Sequence, residues 1–181
     1  MSRRLLIASS LALAACSVEP QAMPAKPPKP EAPAPRTDGL LVAPGAIGPA
    51  TTTTLFDLAA LRRLFPGSDV RAGTVSEEGF DTPVIVVTGP GEVKIEFHGD
   101  GGTLDRAFVT GADARGPKDE TIGLQMSASG FAPGDCIEGA ERLGDAAICR
   151  RAGAPQLGYV FGSIRDADPV LQAFYWTADA S

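Results

Sequence analysis

The residues with the most obvious chemical potential are three cysteines and a single histidine, His98, in a chain of 181 residues. Cysteine thiols can carry a lipid, form a disulfide or hold a metal, and histidine can act as an acid, a base or a ligand. One histidine leaves almost no room for a histidine-rich metal site or a Ser-His-Asp triad. We therefore predict no catalytic residue, no metal site, no cofactor and no enzyme activity.

Cys16 stands at the end of a segment typical of protein export. Arg3 and Arg4 precede an apolar run over residues 5–15, which is too short to span a bilayer and has the length of a secretory signal. The run ends in Leu13-Ala14-Ala15-Cys16, which resembles the lipobox of bacterial lipoproteins. That resemblance implies cleavage before Cys16 and acylation of its thiol. The alternative is an ordinary signal peptide with an incidental cysteine.

The chain divides into a signal peptide over 1–15, a lipidated cysteine with a proline-rich tether over 16–44, and one globular domain over 45–181. The tether has seven prolines between Pro20 and Pro35, a composition that favours extended polyproline II and a reach on the order of 80 Å. We predict anchoring in the outer membrane with the domain facing the periplasm, although the inner membrane and the cell surface remain open.

One helix and several strands are predicted within the domain. Thr54-Leu55-Phe56-Asp57 matches a capping box, apolar residues at helical spacing follow it, and Pro66-Gly67 ends the helix. Beyond it, the β-branched run Val84–Thr88, the turn Gly89–Glu92 and an alternating segment to Phe97 predict a hairpin. Thr103–Thr110 predicts a third strand, which makes the segment an antiparallel meander.

A weak internal repeat relates the first part of the domain to the second. Residues 81–97 align without gaps with residues 145–161, and Leu104–Thr110 aligns with Leu171–Thr177. The second leading segment, Leu124–Phe131, contains Gly130, so its helix is short or absent. The predicted fold class is α+β, a single domain of two similar halves. Each half is a helix or leading segment followed by a three-stranded antiparallel meander.

Two polar residues near the first meander could suggest chemistry. His98 falls on the polar phase of its strand, which predicts a solvent-facing side chain. Asp100 could be an acid or a calcium ligand, but Asp-Gly is also the sequence that a tight turn needs, and we predict a turn.

Cys136 and Cys149 are the two cysteines left in the domain, and export would place them in an oxidising compartment. We predict a disulfide between adjacent strands. A redox-active pair is the alternative, but such pairs are usually CxxC beside a helix N-terminus, whereas twelve residues separate these cysteines.

A set of spaced motifs resembles the RpoE-regulated lipoprotein family, small bacterial lipoproteins with a domain of unknown function. The likeness covers roughly residues 45 to 178. The matching motifs are the lipobox, Arg71-Ala72-Gly73, Gly99–Leu104 with Arg106, the pair Cys136 and Cys149, Gly153, Tyr159, Phe161 and the strand Phe174-Tyr175-Trp176. The resemblance implies an envelope location and a link to envelope stress, and it assigns no enzyme activity.

Anchor, tether and acidic composition together predict a non-catalytic envelope protein. Its partners are the membrane through Cys16 and an envelope protein, and the net charge of −6 argues against nucleic acid. Alternatives are an inhibitor of a secreted hydrolase that uses the loop Gly162–Pro169, and a small-ligand-binding lipoprotein. A carboxylate-based hydrolase is the enzyme alternative, because Asp and Glu are abundant.

Overall fold

A computed structural model describes residues 39–77, 79–100 and 102–179. The predicted signal peptide, Cys16 and most of the tether lie outside these residues. The described chain forms twelve strands, two short α-helices and three single-turn 3₁₀-helices, which are Pro90–Glu92, Pro133–Asp135 and Glu141–Leu143. The strands and α-helices are labelled in chain order. They are β1 (Leu40–Ala43), β2 (Ala46–Ile47), β3 (Ala50–Thr51), α1 (Leu58–Leu64), β4 (Asp69–Glu77), β5 (Phe80–Thr88), β6 (Lys94–Gly99), β7 (Leu104–Thr110), β8 (Ala114–Arg115), α2 (Met126–Ser129), β9 (Cys136–Glu138), β10 (Ala146–Arg151), β11 (Ala154–Ser163) and β12 (Leu171–Thr177).

Eight of the strands form one antiparallel sheet in the order β4-β5-β6-β7-β12-β11-β10-β9. The first four strands are a meander, the last four are a second meander, and the final strand of each meander lies at the centre. There β12 pairs with β7, with Tyr175 opposite Phe108. A small second sheet has the order β3-β2-β1-β8.

The main core lies on one face of the large sheet. Strand side chains alternate between faces, so Ile95, Phe97 and Val109 point to the same side as Phe174 and Trp176. Helix α1, the small sheet and the segment 122–131 pack against them. The indole Nε1 of Trp176 donates to the carbonyl of Pro44 at 2.9 Å, which satisfies its buried polar atom.

Helix α1 begins later than the sequence predicts. Its N-cap is Asp57, whose Oδ1 accepts a hydrogen bond from the amide of Ala60 at 2.8 Å. Oγ1 of Thr54 instead accepts from the amide of Thr51 in the preceding turn. The predicted start at Thr54 is therefore wrong by one helical turn, whereas the stop before Pro66-Gly67 agrees with the structure.

The predicted α+β class is only partly correct, because this single domain is mainly β. Both helices are short: α1 has seven residues and α2 has four, and Gly130 ends α2 in a left-handed conformation with φ of 76°. The large sheet also contains four strands on each side of its centre rather than three. Within the described residues, no helix is long and apolar enough to cross a membrane.

Candidate functional site

The face of the large sheet opposite the main core carries a line of residues that includes charged and aromatic side chains. Cross-strand pairing places one residue from each of five adjacent strands in direct register: Glu96, Phe108, Tyr175, Gly158 and Arg150. We call these five residues the outer row. With strands about 4.8 Å apart, the row extends over about 19 Å.

The centre of the outer row is an aromatic pair. The rings of Phe108 and Tyr175 are stacked, with centroids 4.7 Å apart and planes at 28°. The guanidinium carbon of Arg142 lies 3.9 Å from the Phe108 centroid, and that of Arg150 lies 5.9 Å from the Tyr175 centroid. Both distances allow cation–π attraction, so each aromatic ring of the pair has an arginine beside it.

Two carboxylates hold the arginines at the β6 side of the row. Oε1 of Glu96 accepts from Nη1 of Arg142 at 2.7 Å, and Oε2 of Glu77 accepts from Nη2 of Arg106 at 2.6 Å. Burial alone would raise the pKa of Glu96, but hydrogen bonds from His98 and Arg142 lower that pKa to about 2. Glu96 is therefore ionised at neutral pH and acts as an acceptor rather than an acid.

His98 is buried, with 1% of its surface exposed, so the predicted solvent-facing position is wrong. Its Nε2 lies 2.8 Å from Oε1 of Glu96, and a carboxylate acceptor requires the proton on Nε2. Among the described residues, nothing hydrogen-bonds the buried Nδ1. The side chain does lie on the outer face, as its strand phase predicts, but that face is not open to solvent at this point.

A loop over residues 139–145 covers part of this face. Arg142 reaches Glu96 and Phe108 from the loop, and Leu143 packs against a small apolar cluster of Ala146, Val160 and Ala173. The predicted disulfide between Cys136 and Cys149 is present, and it joins directly opposed residues of β9 and β10, the strands that flank the loop. The bond therefore cross-links the two strands of the hairpin that carries Arg142.

A groove of about 270 Å³ runs along the row between this loop and β10. Its lining combines arginine, aromatic and aliphatic side chains: Glu77, Arg106, Phe108, Ile137, Glu138, Ala140, Arg142, Leu143, Ile148, Arg150 and Tyr175. Gly158 lies between Tyr175 and Arg150 in the outer row and is buried. A Cβ atom there would lie 3.4 Å from Ile148 Cγ2 and 3.5 Å from Tyr175 Cβ.

A second cavity is polar, has a volume of about 310 Å³ and lies at the C-terminal end of β10. Arg150 lines it as well as the groove. Beside it, Arg151 Nη2 donates to Oε1 of the buried Glu120 at 2.8 Å. The amide of Lys118 donates to the other oxygen of Glu120. Burial raises the pKa of Glu120, but these hydrogen bonds outweigh that effect and lower it, so the pair is ionic.

A third cavity, of about 290 Å³, is mainly apolar and lies between the end of α1 and the turn after β5. Its lining comes from α1, β1, β5 and β6: Gly39, Leu40, Pro49, Leu64, Phe65, Pro66, Ser68, Val87, Gly89, Pro90, Val93, Ile95 and Asp113. Its volume falls near the lower end of small-molecule pockets. It lies on the core side of the sheet and shares no residue with the outer row.

The structure places the other residues singled out from the sequence as follows. Oδ1 of Asp100 accepts from the amide of Gly102 at 3.2 Å, which fits the predicted turn. No group of three or more metal-binding side chains occurs within the described part of the chain. Cys16 lies outside that part. The sequence reasoning missed Glu96, Arg142 and Arg150, although the i, i+2 spacing of Glu96 and His98 already puts both on one face of β6.

Comparison with protein-family models finds no match, and comparison with curated proteins finds none either. Among solved structures, the chain is similar to the uncharacterized protein yfeY from Escherichia coli, with a TM-score of 0.61 and 21% identity. The similarity covers 75% of this chain and 98% of that one. At this identity the likeness shows a common fold alone. The two chains therefore share their architecture, and membership of the RpoE-regulated lipoprotein family stays a prediction.

Proposed function

We propose that this chain is a lipid-anchored, non-catalytic protein of the cell envelope, and that it binds a protein partner through the outer row. The lipobox at Cys16 and the proline-rich tether support the anchor. The outer membrane with the domain facing the periplasm is the proposed location, and the inner membrane and the cell surface are alternatives. The observation that carries the binding role is the groove, where an aromatic pair lies between arginines.

Such a surface has the composition of a protein interface. Interface cores are enriched in tyrosine, phenylalanine and arginine, and such residues often contribute most of the binding energy. Ile137 at the edge of the groove is 60% exposed, which adds an apolar contact at the rim. The outer row therefore offers anchor residues that a partner can cover.

The test is photo-crosslinking in cells with the full-length protein. A photoreactive residue replaces Ile137 in one version and Leu41 in the control version. Leu41 is similarly exposed but lies on β1 in the small sheet. We expect one recurrent crosslinked protein from position 137, none from position 41, and loss of the product in Cys16→Ser. Equal patterns from the two positions would contradict the proposal.

The link to envelope stress is a further part of the proposal, and the family resemblance alone supports it. Deletion of the gene should alter survival under envelope-damaging conditions, and a plasmid copy with Cys16→Ser should fail to restore it. Restoration by the unlipidated protein would separate the stress role from the anchor.

We also propose that the two meanders are copies of one ancestral unit. The sequence alignment of 81–97 with 145–161 matches β5 with β10 and β6 with β11, and Leu104–Thr110 matches β12. Superposition at that register is the test. A fit no better than that between unrelated meanders would contradict a repeat.

Small-ligand binding is the second candidate function, and the apolar cavity beside α1 favours it. Native mass spectrometry of the protein extracted from cells should then find a co-purified apolar molecule, which a Val87→Phe substitution in the cavity should remove. Inhibition of a secreted hydrolase through Gly162–Pro169 is a further alternative. Assays of lysozyme and protease inhibition test that alternative. If this protein cleaves the assay substrate without added enzyme, the result would instead support a carboxylate-based hydrolase.

A further inference from the structure

We infer that the groove recognises an acidic peptide segment of the partner, and that Arg150 is the residue that pairs with its carboxylate. This inference rests on the proposed binding function and adds the chemistry of the partner. It follows from how the arginines around the groove are paired, from the charge near Arg150, and from the apolar surface beside it.

Arg150 differs from the other arginines at the two polar cavities. Each of the others donates to a carboxylate of this chain: Arg106 to Glu77, Arg142 to Glu96, and Arg151 to Glu120. Arg150 makes no hydrogen bond or ion pair with any residue that the structure describes, and its contact is with the Tyr175 ring. A guanidinium with free donors is suited to a carboxylate in two-pronged geometry.

The surroundings of Arg150 favour a negative ligand. Lys118 lines the cavity on one side of Arg150, and its ammonium makes no ion pair with a described residue, whereas Arg106, Arg142 and Arg151 each pair with a carboxylate of this chain. The remaining carboxylates at these cavities are engaged: Oδ2 of Asp135 accepts from the amide of Ala132, and Glu138 lies 3.7 Å from Arg165. Arg150 and Lys118 are therefore the cations at these cavities that have no carboxylate partner among the described residues, and an acidic segment could pair with them.

The floor and rim of the groove favour a peptide over a free anion. The Tyr175 ring and Ile148 lie beside Arg150, and the exposed Ile137 stands at the rim. An aromatic or aliphatic side chain next to a glutamate or aspartate would cover this apolar surface while the carboxylate reaches Arg150. A small inorganic anion could pair with Arg150 but would leave the apolar surface uncovered.

The test is titration of the full-length protein in detergent, followed by NMR, with acetylated four-residue peptide amides. The first peptide alternates glutamate with phenylalanine, the second has glutamine for glutamate, and the third has alanine for phenylalanine. We expect the first to bind about tenfold more tightly than either of the others. The largest shifts should occur at Arg150 and Tyr175. Arg150→Gln should lose this preference, and Arg63→Gln, which changes an exposed arginine of α1 outside the groove, should keep it.

Three results would overturn the inference. They are equal binding of the glutamate and glutamine peptides, no binding of any of the three peptides, and an unchanged preference in Arg150→Gln. Equal binding of the alanine peptide together with competition by inorganic phosphate would also overturn it, because those results describe a general anion site. Failure of the binding function itself is distinguishable. If a partner is crosslinked at position 137 but the peptides show no preference for glutamate, only the inference that the partner's segment is acidic is refuted. If the glutamate peptide is preferred but no partner is crosslinked, only the proposed function is refuted.

Discussion

Nε2 of His98 lies 2.8 Å from Oε1 of Glu96, and both side chains project from the sheet face opposite the main core. The same oxygen accepts from Arg142, which is 46 positions away in the sequence. One carboxylate thus joins β6 to the loop that covers it. Since a buried or half-buried charge is costly unless it is paired, the ionised carboxylate of Glu96 depends on its contact with Arg142 in the loop.

The first prediction concerns stability at acid pH. The folded state lowers the pKa of Glu96 from 4.5 to about 2, because hydrogen bonds from His98 and Arg142 outweigh burial. The resulting stabilisation is complete above the unfolded pKa and is lost as the pH falls towards about 2. Urea unfolding between these pH values should show a smaller loss of stability in Glu96→Gln than in the wild type. Glu138→Gln, on an exposed carboxylate, should behave as the wild type does.

The second prediction concerns the disulfide. Replacing Cys136 and Cys149 by alanine should lower the free energy of unfolding by about 3 kcal/mol, because the cross-link restricts the unfolded chain over a separation of 13 residues. Chemical denaturation of both proteins, with and without reductant, measures the effect. Reductant should bring the wild type to the stability of the double variant and leave the variant unchanged. A wild-type midpoint that is insensitive to reductant would refute the prediction.

The third prediction uses the glycine of the outer row. Gly158→Ala should fold with little change in melting temperature, since the added Cβ meets its neighbours at ordinary distances. It should reduce crosslinking from position 137 because the added methyl group touches Ile148 and Tyr175, which both line the groove, and slightly shifts their side chains. Gly153→Ala is the matched control, where a Cβ meets nothing within 4 Å. Equal crosslinking yields in the two variants would count against the groove as the contact surface.

The fourth prediction separates the two possible helix caps. Asp57→Ala should cost about 1 kcal/mol of stability, because the Ala60 amide loses its acceptor. Hydrogen exchange at the Ala60 amide should accelerate in Asp57→Ala and stay unchanged in Thr54→Ala. Faster exchange at the Asp57 amide in Thr54→Ala, with Ala60 exchange unchanged in Asp57→Ala, would mean that the capping box predicted from the sequence is the one in use.

The strands that could be predicted are those with one buried face. Alternation identifies β6 because Ile95 and Phe97 face the core while Lys94 does not. Alternation does not identify strand β4, because Val70 is its one buried residue and most of the strand is exposed at the sheet edge. A strand with two exposed faces leaves no periodic signal.

The disulfide could be predicted from the sequence, whereas the outer row could not, because the row depends on contacts between distant segments. Two cysteines have few possible partners, so composition and compartment suffice to pair them. The phase of His98 assigns it correctly to the outer face, but nothing local in β6 reveals that Arg142 and its loop lie over that face. Burial of a polar residue by a distant segment is a tertiary property, and periodicity reports only which side of the strand a residue occupies.

The pairing of β12 with β7 has a consequence for how the chain folds. Every other contact between neighbouring strands of the large sheet joins consecutive strands, so each meander can form locally as the polypeptide emerges. The central pair needs the last strand of the domain to arrive, and until then β7 and β11 are open edges. Chains that still lack Leu171–Thr177 would therefore expose pairing edges to one another and be prone to aggregate.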